Sequence, residues 1–237
     1  MKVFCWRAIL LASLLPALAA CGLRLEEPEP ANRVAAAAWR EWRLFEGGTI
    51  SYPGNGVAGR PMRVALTETQ EPARSRIGEY WRLAGRPEWN GADTDRPWSG
   101  VFVSWVMAQA GVPASEFPRV GRHAQFLIAI DESALRSARP SFVLRDPESY
   151  RAKPGDLICR GSVANVMQIA DRQLRHDAID RYVTHCEVVI AIRPPWLRSI
   201  GGNVQDSVML SSYPLDADAR PLSPGQPWML VVENRRY

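Results

Sequence analysis

The sequence predicts an α+β fold in which N-terminal helices pack on an antiparallel sheet. Up to Ala138, apolar residues recur at helical spacing, and Gly- and Pro-containing segments separate these stretches. From Pro154 onward, apolar residues instead form short runs bounded by turn residues, which is typical of strands. Helices followed by strands favour an α+β architecture with the helices against one side of the sheet.

Two helices are predicted in the first third of the chain. The first runs from Ala31 to Phe45, with Asn32 as its cap and Gly47-Gly48 after its end. The stretch from Ile50 to Arg63 is rich in Gly and Pro and is predicted to be a loop. The second helix runs from Glu71 to Leu83, where apolar residues again follow helical spacing.

The third predicted helix has the clearest boundaries. Asp95 is its expected cap, Pro97 lies near its first position, and Gly111 ends it. Its interior from Val101 to Met107 is apolar nearly all round, so this helix should be buried. A fourth helix is predicted from Gly121 to Ala138.

Four strands are predicted in the second half of the chain. The segment from Ser162 to Thr184 is read as a long polar insertion with room for one helix, and His176 within it is expected to be solvated. The predicted strands are Asp156–Cys159, His185–Ile192, Val208–Leu210 and Trp228–Val232.

The N-terminus resembles the export signal of a bacterial lipoprotein. Lys2 and Arg7 precede an apolar run that ends at Leu18, which is shorter than the roughly 20 residues needed to span a bilayer. Leu18-Ala19-Ala20-Cys21 resembles a lipobox, which implies cleavage before Cys21 and acylation of its thiol. The alternative is an ordinary cleaved signal with a chance Cys. Gly22 follows Cys21 where an Asp usually marks inner-membrane retention in this class, which favours the outer membrane.

The predicted organisation is a signal peptide over residues 1–20, a lipidated tether over 21–30 and one α+β domain over 31–237. The protein is expected in the cell envelope, facing the periplasm and held at the membrane by lipid on Cys21. Two of the 29 basic side chains leave with the signal, so the remaining 27 nearly balance the 25 acidic ones. This balance gives no argument for nucleic-acid binding.

Four cysteines are present. Cys5 leaves with the signal and Cys21 takes the lipid, so Cys159 and Cys186 remain in the folded part. The oxidising periplasm permits a disulfide between them. Two buried free thiols are the alternative, since Cys often acts as a small buried hydrophobe.

Motifs with chemical potential follow one another along the chain. The segment Pro97–Trp105 places Ser99 in the first turn of the buried helix, where unpaired N–H groups and the helix dipole favour a developing oxyanion. The segment Pro154–Ile158 is a turn into a strand, and His185 begins the next predicted strand. The sequence Gly201-Gly202-Asn203-Val204 comes after it.

In this order the motifs resemble those of papain-like cell-wall peptidases and amidases of the NlpC and CHAP type, over roughly residues 80 to 210. In those families a nucleophile opens a buried helix, a strand His is the base, and a polar residue on the next strand orients it. The resemblance implies that Ser99, His185 and Asn203 are catalytic and that peptidoglycan fragments bind. A closer resemblance is to the bacterial domain of unknown function 2272, through Trp98-Ser99, Arg122-His123 and His185-Cys186.

The sequence departs from the papain-like pattern at the nucleophile. Those families use Cys, whereas this chain has Ser99, which needs a base in contact and a formed oxyanion hole. One hypothesis is therefore a peptidoglycan peptidase or amidase that uses Ser99, His185 and Asn203. The other is a catalytically silent lipoprotein of the same fold that binds murein or a protein partner.

Further residues are candidates for lining the same cleft, namely His123, Trp98 and Asp156. Trp89, Trp98 and Trp105 suit either stacking on sugar faces or ordinary core packing. The three His and the two Cys of the fold lack the spacing of a zinc site, so neither metal nor cofactor is expected. The sequence identifies no protein partner.

Overall fold

The computed structural model describes residues 32–54 and 56–236. Five α-helices and an eight-stranded sheet lie within these residues, which confirms the α+β class. The helices are α1 (Arg33–Leu44), α2 (Ala73–Leu83), α3 (Ser99–Gln109), α4 (His123–Arg136) and α5 (Arg172–Tyr182). The strands are β1 (Gly48–Ser51), β2 (Arg60–Arg63), β3 (Phe142–Arg145), β4 (Leu157–Gly161), β5 (Val183–Arg193), β6 (Trp196–Val204), β7 (Ser207–Pro214) and β8 (Trp228–Asn234). The predicted signal peptide and Cys21 lie outside the described residues.

The sheet is mixed, so the prediction of an antiparallel sheet was wrong in one pairing. The strand order is β2-β1-β7-β6-β5-β4-β8-β3, and β1 runs parallel to β7 while the other neighbours are antiparallel. The stretch from Ile50 to Arg63, predicted to be a loop, contains the end of β1 and all of β2. Every residue of β2 is exposed, so the alternation that marks a half-buried strand is missing there.

Side chains alternate across the central strands and so build two apolar clusters. On β5, Cys186 and Val188 belong to the cluster under the helices, whereas Val189 belongs to the cluster on the opposite face. On β4, Cys159 and Ile158 divide in the same way. Cys159 and Cys186 are directly paired, with their Cα atoms 4.1 Å apart, and a disulfide joins them. The disulfide is one of the two states that the sequence left open.

Helix α3 is the central helix and is buried over most of its length, as its apolar sequence predicts. It contacts α1, α2 and strands β5 and β6. Asp95 does not cap it, because the helix begins at Ser99 with Trp98 in the cap position. The predicted cap of α1 is confirmed, since the Asn32 side chain accepts a hydrogen bond of 3.0 Å from the amide of Ala35.

Helix α5 lies within the stretch read as a polar insertion, and His176 on it is not solvated as expected. Its side chain is buried, and Nε2 lies 2.8 Å from Oδ2 of Asp131 on α4. Arg175 donates to the same carboxylate oxygen, so charged groups join α5 to α4 in addition to the buried Ala178 and Ile179, which belong to the core. No helix within residues 32–54 and 56–236 is long and apolar enough to cross a membrane.

Candidate active site

Ser99 and His123 form the most distinctive polar contact on the helical side of the molecule. Oγ of Ser99, the first residue of α3, lies 2.8 Å from Nε2 of His123, the first residue of α4. Both residues are buried, with 7% and 6% of their surface exposed. When the hydroxyl donates to Nε2, the pair has the arrangement of a nucleophile and its base.

The sequence of α3 explains why His123 lies at Ser99. A Cβ on Gly100 would lie 2.1 Å from the carbonyl oxygen of Gly121, so only Gly permits this approach of the loop before α4. One turn further along α3, Oγ of Ser104 donates to the carbonyl of Val120 at 2.9 Å and accepts from its amide at 3.1 Å. Gly100 and Ser104 therefore fix the loop before α4, and this loop positions His123 at Ser99.

The start of α3 supplies hydrogen-bond donors beside the hydroxyl. The first intrahelical bond is donated by the amide of Phe102 to the carbonyl of Trp98. The amides of Ser99, Gly100 and Val101 precede it and have no intrahelical acceptor. Such amides, together with the positive end of the helix dipole, stabilise negative charge that develops near Ser99.

His185 lies next to His123 rather than in hydrogen-bond contact with Ser99. The two imidazole rings are nearly perpendicular, and their centroids are 5.6 Å apart. Nε2 of His185 lies 3.3 Å from Oε1 of Glu187, without hydrogen-bond geometry. Among the described residues, the hydrogen bond of Ser99 with an imidazole is made by His123, which the sequence suggested only as a cleft residue.

Glu187 lies at the centre of a buried polar cluster, which we call the Glu187 cluster and which comprises His185, Glu187, Arg160, Ser199 and Tyr213. Oε2 of Glu187 accepts from Ser199 at 2.6 Å, and Oε1 accepts from Tyr213 at 2.9 Å and from Arg160 at 3.2 Å. No sequence motif pointed to Glu187 as a site residue. Its position two residues after His185 on one strand was the available signal, because such residues share a face.

Burial and the neighbouring charges determine the protonation of this region. Burial lowers the pKa of His123 well below its ordinary value, and His185 and Arg160 lower it further. Burial also lowers the pKa of His185, although Glu187 opposes this. Burial of Glu187 disfavours its charge, but the contacts with His185 and Arg160 outweigh that effect and lower its pKa to about 2. At neutral pH both imidazoles are therefore neutral and Glu187 is ionised.

The resemblance implies that Asn203 orients His185, but Gly201 is the β6 residue that lies against this imidazole. A Cβ on Gly201 would lie 2.8 Å from Nε2 of His185 and 2.8 Å from Cγ of Glu187. The register of β6 and β7 shifts between Gly201 and Val204, and Asn203 has a φ of 58° within this irregularity. No hydrogen bond joins Asn203 to His185 within the described part of the chain.

The other cleft candidates have structural surroundings. Trp98 is 1% exposed and donates from Nε1 to Glu68 at 2.6 Å, so it belongs to the core. Asp156 is fully buried and accepts from Tyr150 and from the amides of Lys153 and Asn234. Burial raises the pKa of Asp156 to about 6. These bonds hold the turn before β4 and involve neither Ser99 nor His123.

In the part of the chain that the structure describes, no group of three or more His, Cys, Asp or Glu side chains is arranged to hold a metal ion. The profile of a family described as "Uncharacterized protein conserved in bacteria (DUF2272)" matches residues 68–236, which include every member of the candidate site. No curated protein and no solved structure matches the chain.

Proposed function

The chain belongs to the DUF2272 family, and we propose that it is an envelope lipoprotein that hydrolyses amide bonds of peptidoglycan peptides, with Ser99 as nucleophile and His123 as base. The observation that carries the proposal is the 2.8 Å contact between Oγ of Ser99 and Nε2 of His123 at the start of a buried helix. The proposal keeps the Ser99 nucleophile that the sequence predicts and replaces His185 by His123 as its base.

The proposed reaction uses the contacts at the start of α3. Oγ of Ser99 attacks the carbonyl carbon while its proton passes to Nε2 of His123, and the free amides of the first turn stabilise the oxyanion. His123 then donates this proton to the leaving nitrogen, and water releases the acyl group by the reverse path. The low pKa of His123 keeps Nε2 free to accept a proton at neutral pH.

His185 acts on this reaction through His123 and is a positioning residue. Its ring packs edge-on against His123, while Phe126 packs against another side of the same ring at 90° and 5.5 Å. These two contacts restrict the rotation of His123, whose Nδ1 is buried without a hydrogen-bond partner among the described residues. The ionised Glu187 lies next to His185 and favours a positive charge on that imidazole.

A catalytically silent murein- or protein-binding lipoprotein of the same fold is the second candidate. The observation that favours it is that no carboxylate among the described residues pairs with His123, so an imidazolium formed there has no adjacent anion from these residues to stabilise it. The low exposure of Ser99, 7%, also restricts access for a bulky peptide. Both candidates use the same surface and differ in whether a bond is cleaved.

Purified full chain in detergent, incubated with muropeptides, tests the proposal. We expect release of fragments that Ser99→Ala and His123→Ala abolish and that the exposed-site control Ser75→Ala preserves. Labelling by a fluorophosphonate probe should follow the same pattern, because the probe reacts with activated serines. Binding of muropeptides without any release or labelling would reject the hydrolase in favour of the silent binder.

The lipoprotein part of the proposal rests on the Leu18-Ala19-Ala20-Cys21 sequence, which lies outside the described residues. It is tested separately by growing bacteria that express the full chain with a radiolabelled fatty acid. Label should enter the wild-type chain and the Cys5→Ser control but not Cys21→Ser. Equal labelling of Cys21→Ser would remove the anchor from the proposal and leave the hydrolase intact.

A further inference from the structure

A cavity of about 420 Å³ lies between the chain segments that lead into Ser99 and His123. Pro97 and Arg122 line it, and they precede Ser99 by two residues and His123 by one. Its volume falls in the range of about 300–1,000 Å³ that is usual for ligand sites. A molecule that occupies this cavity therefore contacts the residues just before Ser99 and His123, although neither of these two residues lines it. We call this cavity the Arg96 pocket, after one of the arginines that line it.

The lining of the Arg96 pocket is strongly cationic. Four arginines line it, namely Arg86, Arg96, Arg119 and Arg122, and Asp95 is the one acidic residue among its lining residues. The excess of positive charge is much larger than in the chain as a whole, where basic and acidic residues nearly balance. A concave site with this excess attracts an anionic group.

The four arginine side chains differ in whether they already have an ion-pair or hydrogen-bond partner in the protein. Arg122 pairs with Asp180 at 3.1 Å, Arg86 lies 4.0 Å from Glu88, and Arg119 donates to the carbonyls of Phe117 and Val112. Arg96 has no such partner within residues 32–54 and 56–236, and its Nε is buried without a hydrogen bond. A buried guanidinium nitrogen without an acceptor costs free energy unless a ligand supplies one.

Trp89 fixes the orientation of the Arg96 side chain. The guanidinium carbon lies 4.1 Å from the ring centroid of Trp89, a cation–π stacking distance. Trp89 in turn packs edge-on against Trp81, with ring centroids 4.9 Å apart. The stacked guanidinium keeps its plane and its donors in one direction, which suits the two oxygens of a carboxylate.

We propose that the Arg96 pocket binds a carboxylate of the substrate through the guanidinium of Arg96, beside Ser99. The inference rests on the proposed function in that it names the substrate class of the same site, a peptide with a free carboxylate near the cleaved amide. Trp89 holds the guanidinium of Arg96, and the neighbouring arginines add long-range attraction.

The test measures binding rather than turnover, using the full chain with Ser99→Ala in detergent. The probes are a disaccharide-tetrapeptide muropeptide and its derivatives in which each carboxylate in turn is converted to a carboxamide. We expect one amidated derivative to bind about ten- to hundredfold more weakly than the parent, as for loss of a charge-assisted bidentate contact. Adding Arg96→Gln should make the parent and that derivative equal, whereas Arg40→Gln at an exposed position of α1 should leave the difference unchanged.

Two results would overturn the inference. Equal affinity of all derivatives for the Ser99→Ala chain would exclude a recognised carboxylate, and equal weakening of every derivative by Arg96→Gln would indicate a general structural role. Thermal melting shows whether Arg96→Gln folds, and Arg96→Lys, which keeps the charge without the planar fork, replaces it if it does not. Carboxylate recognition without hydrolysis in the unaltered chain would reject the enzyme and keep the pocket. Hydrolysis without carboxylate recognition would do the reverse.

Discussion

The Ser99–His123 pair and the Glu187 cluster are both buried and polar, and they meet where the rings of His123 and His185 pack together. In the Glu187 cluster, both carboxylate oxygens accept hydrogen bonds, from Ser199, Tyr213 and Arg160. At the pair, Ser99 has one polar side-chain contact, and Nδ1 of His123 has no hydrogen-bond partner among the described residues. The Glu187 carboxylate is thus fully hydrogen-bonded, whereas the two imidazoles where the regions meet each keep one buried nitrogen, Nδ1 of His123 and Nε2 of His185, without a hydrogen bond among the described residues.

This difference indicates a division of roles. A buried polar network whose members satisfy one another is rigid and fixes the local structure. A buried polar group left without a partner costs stability and is retained where it contacts a ligand or takes part in a reaction. We therefore expect substitutions in the Glu187 cluster to act on folding and substitutions at the pair to act on reaction rate.

The largest expected effect is that of Glu187→Ala on stability. Removing Glu187 leaves the buried charge of Arg160 without its counter-ion, which costs about 3–5 kcal/mol of unfolding free energy. Ser99→Ala loses one neutral hydrogen bond and should cost only about 1 kcal/mol. Urea unfolding of the two variants measures both values.

Glu132→Ala is the matched control for this comparison. The Glu132 side chain is 46% exposed and lies 3.9 Å from Arg136 one turn along α4, so its loss should change the unfolding free energy by less than about 1 kcal/mol. A cost for Glu187→Ala no larger than that for Glu132→Ala would contradict the structural role of the Glu187 cluster.

The second effect is that of Gly100→Ala on the proposed hydrolysis. The added Cβ would lie 2.1 Å from the carbonyl oxygen of Gly121, so the loop must move and take His123 away from Ser99. A shift of about 1 Å lowers kcat/KM by roughly a hundredfold, while the unfolding free energy falls by about 1–3 kcal/mol. Steady-state kinetics on muropeptides and urea unfolding separate the two quantities.

Gly78→Ala on α2 serves as the control for a helical glycine. The nearest atom to its added Cβ is Cβ of Asn90 at 3.3 Å, and Ala favours the helix over Gly. We expect its kcat/KM to stay within about threefold of wild type. If Gly100→Ala behaves as Gly78→Ala does, the approach of the loop at Gly121 is not what aligns the pair.

The helices and the central strands were predictable because their signals are local. The buried character of α3, the capping of α1 by Asn32 and the apolar runs of β4, β5, β7 and β8 all appear within short stretches of sequence. The short edge strand β2 and the glycine-containing β6 lack such runs. The parallel pairing of β1 with β7 joins residues about 160 positions apart, which no local pattern encodes.

The candidate site likewise has one part that local sequence predicts and another that depends on tertiary packing. Ser99 was predictable because its position depends only on where a buried helix starts. The contact with His123 depends on a tight approach between Gly100 and Gly121, and the placement of Asn203 depends on an irregularity between β6 and β7. Both are details of tertiary packing, so the motif order indicated the region but not which His contacts Ser99.

The smallest expected effect concerns the pH dependence of the proposed hydrolysis. A base must be neutral to accept a proton, so kcat/KM falls as the pH drops through the pKa of His123 in the free enzyme. Burial and the adjacent His185 and Arg160 lower this pKa, so the acid limb of the profile should lie below pH 6.5, the value for an ordinary His.

Replacement of His185 tests whether the contact between the His123 and His185 rings sets the pKa of His123. His185→Gln removes one of the groups that lower the pKa of His123, so the acid limb should move toward higher pH while the neutral-pH rate changes less. Stability responds in a different window, because Glu187 has a folded-state pKa of about 2 and its contribution is present above pH 4.5 and lost as the pH falls toward 2. A profile for kcat/KM that followed unfolding into that lower window, and that His185→Gln left unmoved, would mean that His123 does not titrate in the reaction and that the pair is structural as well.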